Sequence, residues 1–406
     1  MWVHLLILLL PACSCQVPNF LSTVTTFYPS RTSNDTLVLR YNVAFNVCNN
    51  VSVLDCPVAN CLLTVASAAT VHEGNGTWCQ NEVVVLVNTT SSKRFELRLT
   101  GHQWINVING VRDVLAVTHV DLRKRSDINR TNASPVTTIL PVLRVPSNCP
   151  RNLTLLTFDP NGDQVRCRYE IATSVLSLSP SCQMTFSASN SNQVEGAYAI
   201  QLLMEDFSRK NITVTDGAGF EILTNQDAIS QIPVQFVLRV DPPVESCDDG
   251  EFVPTFLVPT VANGHYFYAT VNTTLNIPIF GTSSRSNVSE LLFTGPSNMT
   301  KTTIGNGSFV LSWTPSDRDI GQSHPVCFVI EATGVSQRKL HSELRCVFVV
   351  VEQVVAVLKA GLTSLSPLSK EYLQEVFLPQ LKMEIVERGL PFDITLRVVN
   401  IKQLPV

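Results

Sequence analysis

Short runs in which apolar and polar residues alternate fill most of this chain. In its first third they include Thr36 to Val47, Glu82 to Val87 and Phe95 to Leu99, and Asn, Ser and Gly turns separate them. Alternation with a period of two predicts β-strands that bury one face. Many short strands at close spacing are typical of sandwich domains. The sequence therefore predicts an all-β domain over residues 16–145.

The same pattern continues beyond residue 145 and divides at a pair of prolines. Asp241-Pro242-Pro243 predicts a boundary, because paired prolines cannot continue a strand ladder. This boundary gives one β-sandwich at residues 146–243 and another at 244–352. The later segment repeats the order of strand, acidic turn, strand and closing strand. The predicted fold class is mainly β, with tandem antiparallel β-sandwich domains.

The last segment, residues 353–406, changes its period. Apolar residues recur at every fourth position between Lys370 and Arg388, which predicts a helix with one buried face, and the runs on either side are typical of strands. Ser369 is the predicted N-cap, and Pro379 is expected to kink the helix. The sequence therefore predicts a small C-terminal α+β unit of strand, helix and strand.

The first fifteen residues have an apolar core from Leu5 to Leu10, and small residues follow it up to Cys15. This arrangement is typical of a secretory signal peptide. The core is shorter than the roughly 20 apolar residues that a membrane-spanning helix needs. Glu352 interrupts the most apolar run farther along, so no transmembrane segment is predicted. We expect residues 1–15 to be a signal peptide and the protein to be secreted.

Ten cysteines follow the signal segment, and an even number in a secreted chain predicts five disulfides. Their spacing is not that of a zinc site. Spacing does not determine connectivity, but proximity favours two local pairs, with two further cysteines left to join the ends of one domain. In that order the predicted pairs are Cys167 with Cys182, Cys327 with Cys346, and Cys149 with Cys247. Pairing among themselves is predicted for Cys48, Cys56, Cys61 and Cys79.

Twelve Asn-x-Ser/Thr sequons occur along the chain. Asn132 is set apart from the others because Pro135 lies just beyond its Ser134. The alternative for all of them is that Asn, Ser and Thr co-occur in β-turns. N-glycans at these positions would cover the surface of an extracellular protein. The predicted acceptors are Asn34, Asn50, Asn75, Asn88, Asn129, Asn152, Asn211, Asn272, Asn287, Asn298 and Asn306.

The most distinctive motif is Asp159-Pro160-Asn161-Gly162-Asp163, which runs into the alternating strand Val165 to Tyr169. Farther along, Gly196 to Phe207 has the form of a strand that leads into an acidic loop, and Ile232 to Val240 supplies a closing strand. In this arrangement the chain resembles cadherin-like domains of the dystroglycan type. Residues 244–352 look like a further immunoglobulin-like or cadherin-like sandwich. The resemblance implies β-sandwich modules that work outside the cell, and it names no ligand.

The segments directly ahead of this module, Thr118 to Asp127 and Ser134 to Pro146, resemble stretches of large animal extracellular proteins. They contain Arg123-Lys124-Arg125-Ser126, a candidate site for a secretory dibasic protease. Leu122 stands where such a site needs a further basic residue. A solvated loop at a domain junction is therefore the expected structure.

Oxygen-bearing side chains in the distinctive motif suggest a cation site. Asp159, Asn161 and Asp163 come from the motif itself, and the resemblance adds Glu205 and Asp206. Together with backbone carbonyls they could surround Ca²⁺, which takes six to eight oxygen ligands. The alternative is an efficient turn in which Asx side chains bond the local backbone. Ca²⁺ is the one predicted ion, and no cofactor is required.

Composition and missing motifs narrow the function. Charged residues make up 15% of the chain and its net charge is −4, which gives no field that would attract nucleic acid. The chain has no Gly-x-Ser-x-Gly, no His-Glu-x-x-His and no phosphate-binding glycine loop, so no enzymatic activity is predicted. We expect a protein that recognises an extracellular protein or glycan, in adhesion or matrix association. The alternative is a soluble receptor ligand or humoral regulator, in immunity or fertilisation.

Overall fold

The computed structural model describes residues 19–30, 36–47, 61–73, 78–89, 93–188, 195–334, 337–352, 369, 372–387 and 396. Strands dominate these residues, so the predicted mainly β fold class is confirmed. The chain divides into two compact units, Met1–Val354 and Val355–Val406. Among the described helices, none combines the length and the apolar character needed to cross a membrane.

Sixteen strands lie in the described residues before Pro242, and ten of them form one sheet, here called the main sheet. Its continuous path runs β10-β13-β16-β1-β2-β4-β3, while β6 and β8 pair with β16 and β5 pairs with β6. The strands are β1 (Phe20–Pro29), β2 (Thr36–Phe45), β3 (Cys61–Glu73), β4 (Cys79–Thr89), β5 (Arg94–Leu99), β6 (Ala116–Asp121), β7 (Lys124–Arg125), β8 (Val142–Pro146), β9 (Arg151–Thr154), β10 (Gln164–Ile171), β11 (Ser177–Leu178), β12 (Gln183–Phe186), β13 (Gly196–Phe207), β14 (Ile212–Thr215), β15 (Phe220–Leu223) and β16 (Ala228–Asp241).

Strand β16 organises the main sheet. One of its edges pairs antiparallel with β13 along nearly the whole length of both strands. The other edge is shared in turn by β6 at Gln231, by β1 at Val234 and Gln235, and by β8, which runs parallel to it. The N-terminal strands and the 146–243 segment are thus parts of one sheet. The boundary predicted between residues 145 and 146 falls inside that sheet, because a strand of 14 residues is longer than any partner on this edge.

Two three-stranded sheets flank the main sheet. One has the order β11-β12-β9, and the other, here called the side sheet, has the order β15-β14-β7. The side sheet turns Ile212, Val214 and Leu223 inward, where they pack with Ile229 at the start of β16. Its outer face carries the alternate residues of the same strands, as the pleat requires.

Residues beyond Pro243 form a sandwich of two sheets, of order β17-β19-β22-β21 and β18-β25-β23-β20, with β24 beside β23. All pairs are antiparallel except β18 with β25. Side chains such as Ile279, Leu311 and Trp313 from one sheet meet Phe293, Phe328 and Val349 from the other in a separate core. The strands are β17 (Thr255–Leu257), β18 (His265–Thr270), β19 (Leu275–Thr282), β20 (Asn287–Thr294), β21 (Thr300–Gly305), β22 (Ser308–Trp313), β23 (Ser323–Thr333), β24 (Lys339–His341) and β25 (Arg345–Glu352), and a 3₁₀ turn covers Asp317–Asp319.

The C-terminal unit contains the predicted helix. A π-helical turn at Leu373–Phe377 continues into α1 (Leu378–Glu387). The Ser369 hydroxyl accepts the N–H of Tyr372 at 3.1 Å, as expected of an N-cap. The widened turn lies directly before Pro379, which has no N–H to donate and crowds the preceding turn. The strands predicted on either side of this helix lie outside the described residues.

Three disulfides join the cysteines as the sequence predicts: Cys149 with Cys247, Cys167 with Cys182, and Cys327 with Cys346. The first closes a loop of 98 residues that contains β9 to β16. In the chain-entropy account a loop of about 100 residues contributes roughly 4–5 kcal/mol by restricting the unfolded chain. Cys79 is disulfide-bonded too. The partner assignments of the N-terminal cysteines lie outside the described residues.

A substitution at Phe236 tests whether the core of the main sheet depends on β16. The side chain of Phe236 is fully buried in the main-sheet core, so Phe236→Ala should lower the free energy of unfolding by about 3–5 kcal/mol. Ile304→Ala is the control, since Ile304 is 67% exposed on β21 and its loss should cost within about 0.5 kcal/mol. Denaturant unfolding of the secreted protein measures both. Equal effects of the two substitutions would contradict a core built on β16.

Candidate functional site

The distinctive motif forms a tight turn between the isolated bridge at Phe158 and β10. The Asp159 carboxylate accepts the backbone N–H groups of Asn161 at 2.8 Å and of Asp163 at 3.0 Å. Gly162 has a φ of +81°, a value that favours glycine. The Asx turn expected as the alternative to a cation site is therefore present. It also fixes the direction of the Asp163 side chain.

Three of the five predicted ligands come together. Carboxylate oxygens of Asp159, Asp163 and Asp206 lie within 4.8 Å of one another, and all three side chains are buried. Asp206 belongs to β13 and not to an acidic loop, so that part of the prediction is wrong. The long pairing of β13 with β16 keeps this part of the chain extended.

The other two predicted ligands point elsewhere. Glu205 precedes Asp206 in β13, and successive strand residues face opposite sides of a sheet. Its carboxylate accepts hydrogen bonds from Arg168 Nε at 3.0 Å and Gln231 Nε2 at 2.6 Å. The side-chain oxygen of Asn161 accepts the backbone N–H of Ala133 at 2.8 Å. Both side chains are thus engaged by partners outside the three clustered carboxylates.

A buried arginine, which the sequence suggests only as part of a protease site, pairs with one carboxylate of the cluster. Arg125 is 1% exposed and lies in β7, so the solvated loop expected for this segment is wrong. Its guanidinium donates to both carboxylate oxygens of Asp163, one of them at 2.7 Å. It also forms an ion pair with Asp127 at 2.8 Å. Arg125 therefore supplies from within the chain a positive charge that these carboxylates need.

Asn132 connects the arginine to the third carboxylate. Its side-chain oxygen accepts a hydrogen bond from Arg125 at 2.6 Å, and its amide nitrogen donates to Asp206 at 2.6 Å. The hydroxyl and the backbone N–H of Ser230 donate to the other Asp206 oxygen at 2.6 and 2.8 Å. We call Arg125, Asn132, Asp159, Asp163, Asp206 and Ser230 the Arg125 network. No local pattern in the sequence predicts this network, because pairing between distant strands brings its members together.

Negative charge exceeds positive charge in the Arg125 network. Burial, together with the charge of the nearby Asp159, raises the pKa of Asp206 to about 7. Burial likewise raises the pKa of Asp159 to about 6. One Asp159 oxygen, Oδ2, is buried and accepts no hydrogen bond from the described residues. A proton or a small cation is the species that such an oxygen would accept.

A further buried ionic cluster joins the main sheet to the C-terminal sandwich of the first unit. Arg40 of β2 donates to Glu82 of β4 at 3.2 Å and contacts His324 Nδ1 of β23 at 3.0 Å. The His324 Nε2 atom lies 3.3 Å from Asp319, and the ring packs on Trp313 with centroids 4.8 Å apart. We call Arg40, Glu82, Asp319 and His324 the junction cluster. Arg40, Glu82 and His324 stood in no predicted site.

The predicted glycan acceptors are on the surface wherever the structure describes them. Asn132 is the exception among the sequons, because it is fully buried and both ends of its amide are engaged. Asn34, Asn50 and Asn75 lie outside the described residues. The eight exposed acceptors are Asn88, Asn129, Asn152, Asn211, Asn272, Asn287, Asn298 and Asn306.

No protein-family model and no curated protein matches this sequence. Among solved structures, a titin fragment of immunoglobulin domains I67–I69 is 8% identical, covers 79% of this chain and 93% of its own, and has a TM-score of 0.17. Clostridium thermocellum CbhA fibronectin(III)-like modules are 15% identical, with 56% and 100% coverage and a TM-score of 0.20. Human protocadherin-24 EC1-2 is 13% identical, with 55% and 100% coverage and a TM-score of 0.19. Such low scores support no inference, and the dystroglycan-type resemblance stays a prediction.

Arg125→Gln tests whether the arginine stabilises the fold as a counter-ion. Removing the charge leaves buried carboxylates uncompensated, which should lower the free energy of unfolding by about 3–5 kcal/mol. Lys124→Gln is the matched control, because this neighbouring residue is exposed. Denaturant unfolding of both variants gives the comparison. The double variant with Asp163→Asn should recover part of the loss, and the absence of any recovery would contradict the pairing.

Because His324 is buried, we expect the protein to lose stability in acid. Burial lowers the pKa of His324 below its usual value near 6.5, and the adjacent Arg40 lowers it further. The unfolded chain therefore takes up the proton first as the pH falls, so the free energy of unfolding should decrease from about pH 7 to pH 5. The slope should be shallower in His324→Gln and unchanged in His265→Gln, since His265 is exposed. Unfolding measured across this pH range checks it, and equal slopes in all three proteins would refute it.

Proposed function

We propose that this chain is a secreted, N-glycosylated and non-catalytic protein that acts by extracellular recognition, in adhesion or matrix association. The observation that carries the proposal is the contrast among the sequons. Eight predicted acceptors are exposed, and the one that the sequence sets apart, Asn132, is buried. Three disulfides are in keeping with an oxidising compartment.

Recognition is favoured over catalysis by what the buried ionisable groups do. Arg125 is paired with Asp163, Arg40 with Glu82, and His341 lies 3.4 Å from Glu331. These groups join strands and sheets to one another in the described part of the chain. A rigid scaffold of this kind holds its loops and edges at fixed positions, where binding residues commonly lie. The fold by itself does not imply this function, so the proposal depends on an experiment.

One surface cleft suits a polar partner. A cavity of about 470 Å³ lies beside the start of β16 and is lined by Arg94, Glu96, His119 and Gln231, among others. Its lining offers both signs of charge together with an amide group. A cavity of this size accommodates a small ligand or a protruding side chain. These features support an extracellular protein or glycan as the partner.

Secretion from a glycosylating cell line tests the proposal. Deglycosylation should increase the mobility of the secreted chain, and thiol titration of the denatured, unreduced protein should find almost no free thiol. The tagged protein should then be recovered with cells or matrix. A chain that stays inside the cell, or that has two or more free thiols, would contradict the secretory part. Recovery only as a freely diffusing protein would favour a soluble regulator.

The unpartnered oxygen of Asp159 supports a second proposal, weak binding of Ca²⁺ at the Arg125 network. Asp159 and Asp206 would be the ligands from side chains, with backbone carbonyls and water completing the shell. At about 1 mM ion and a dissociation constant of about 10⁻⁴ M, binding would add roughly 1.4 kcal/mol to stability. The thermal midpoint should therefore rise in Ca²⁺ relative to chelator, and Asp159→Asn should abolish the rise. An unchanged midpoint would make Arg125 the only cation of the cluster.

A further inference from the structure

The outer face of the side sheet exposes two large apolar side chains. Phe220 is 76% exposed and Ile222 is 61% exposed, and both belong to the edge strand β15. Alternation along β15 places them on the same face, while Leu223 points inward to the small core. An ion pair between Glu221 and Arg123 at 2.6 Å holds β15 in place. The apolar pair is thus a fixed feature of the surface.

The strand register places a sequon beside this pair. Thr213 lies opposite Ile222 and Thr215 lies opposite Phe220 in the antiparallel pairing of β14 with β15. Residues 212 and 214 are buried, so alternation directs Thr213 and Thr215 to the outer face, and Asn211 directly precedes the strand. Asn211 is exposed and is the first residue of the sequon Asn211-Ile-Thr213. The sequon therefore begins at the end of β14, next to the face that carries Phe220 and Ile222.

The distances along the pleat suit the first sugars of a glycan. Asn211 stands two residues before Thr213, the residue opposite Ile222, and neighbours at such a diagonal offset in a regular pair lie about 7–8 Å apart. Phe220 is two residues farther along the edge, which adds about 7 Å. The two N-acetylglucosamine rings of an N-glycan core extend over a comparable length. Each ring has an apolar face of C–H groups that can pack on an aliphatic or aromatic side chain.

We propose that the N-glycan of Asn211 folds back along β15, with its first sugar on Ile222 and its second on Phe220, and so covers the apolar face of the side sheet. This inference rests on the proposed secretory route. The glycan is a covalently attached part of the mature chain, and its attachment point is fixed next to this face by the register. It would also shield the free edge of β15, which is otherwise open to pairing with another strand.

A second copy of the chain is the competing occupant of this face. Two copies paired through β15 would have to accommodate a glycan beside each strand. The structure therefore favours the tethered sugar, and the oligomeric state tests the choice.

The experiment uses the full chain secreted from a glycosylating cell line. Glycopeptide mass spectrometry gives the occupancy of Asn211. Thermal midpoints and binding of a hydrophobic fluorescent probe are then compared for wild type, Asn211→Gln, the pair Phe220→Thr with Ile222→Thr, and the triple variant. Asn287→Gln is the matched control, because Asn287 is exposed on β20 and lies opposite Thr333 instead of a large apolar residue.

We expect Asn211→Gln to lower the midpoint by about 1–3 °C and to increase probe binding. Both effects should disappear when Phe220 and Ile222 are already replaced, and Asn287→Gln should show neither. If Asn211→Gln changes the midpoint and probe binding equally whether or not Phe220 and Ile222 are replaced, the proposal is overturned. A wild-type dimer that Phe220→Thr and Ile222→Thr dissociate would overturn it too. An empty Asn211 with other sequons occupied would overturn it alone, whereas a chain without any glycan would overturn the secretory proposal as well.

Discussion

Backbone pairing along β16 is the constraint on which the first unit depends. A strand of 14 residues in the interior of a sheet has to satisfy its N–H and C=O groups on both edges. Strand β13 satisfies one edge, and β6, β1 and β8 share the other. Pairing with β16 also positions the loops that are attached to these shorter strands. Of the segments that meet at the Arg125 network, β13 pairs with β16 directly, and the turn before β10 is positioned through the pairing of β10 with β13. The third segment, β7, belongs to the side sheet, where it pairs with β14.

Burying charge is costly, and this cost explains how the Arg125 network and the junction cluster are composed. An arginine in a protein interior is stable only with hydrogen-bonded carboxylates around it, and Arg125 and Arg40 each have them. Both arginines connect parts of the chain that are far apart in sequence, Arg125 reaching Asp163 and Arg40 reaching His324. Wrong pairings would leave these charges unpaired. The clusters thus disfavour alternative arrangements of the strands as well as stabilising the observed one.

Local chemistry was predictable from the sequence, and long-range placement was not. The predicted strand from Gly196 to Phe207 matches β13, and the one from Ile232 to Val240 lies within the longer β16. The Asx turn followed from Gly162, and proximity gave the pairing of Cys167 with Cys182. The continuity of the main sheet across residue 145 depends on contacts between β1 and β16, more than 200 residues apart. No periodicity reports such contacts. The resemblance to cadherin-like domains placed Glu205 in the cluster beside Asp206, whereas strand alternation turns these two side chains to opposite faces of the sheet.

Strand pairing and charge burial both determine the role of Asn132. Its sequon is chemically acceptable, yet the folded chain needs both ends of this amide for Arg125 and Asp206. A sugar cannot enter a fully buried hydrogen-bonded cluster, so a chain modified at Asn132 could not complete the Arg125 network. Pro135, directly after Ser134, is the local feature that distinguishes this sequon from its neighbour at Asn129. Because Asn129 is exposed only three residues away, the choice between the two sites is set by the fold, and the sequon alone does not decide it.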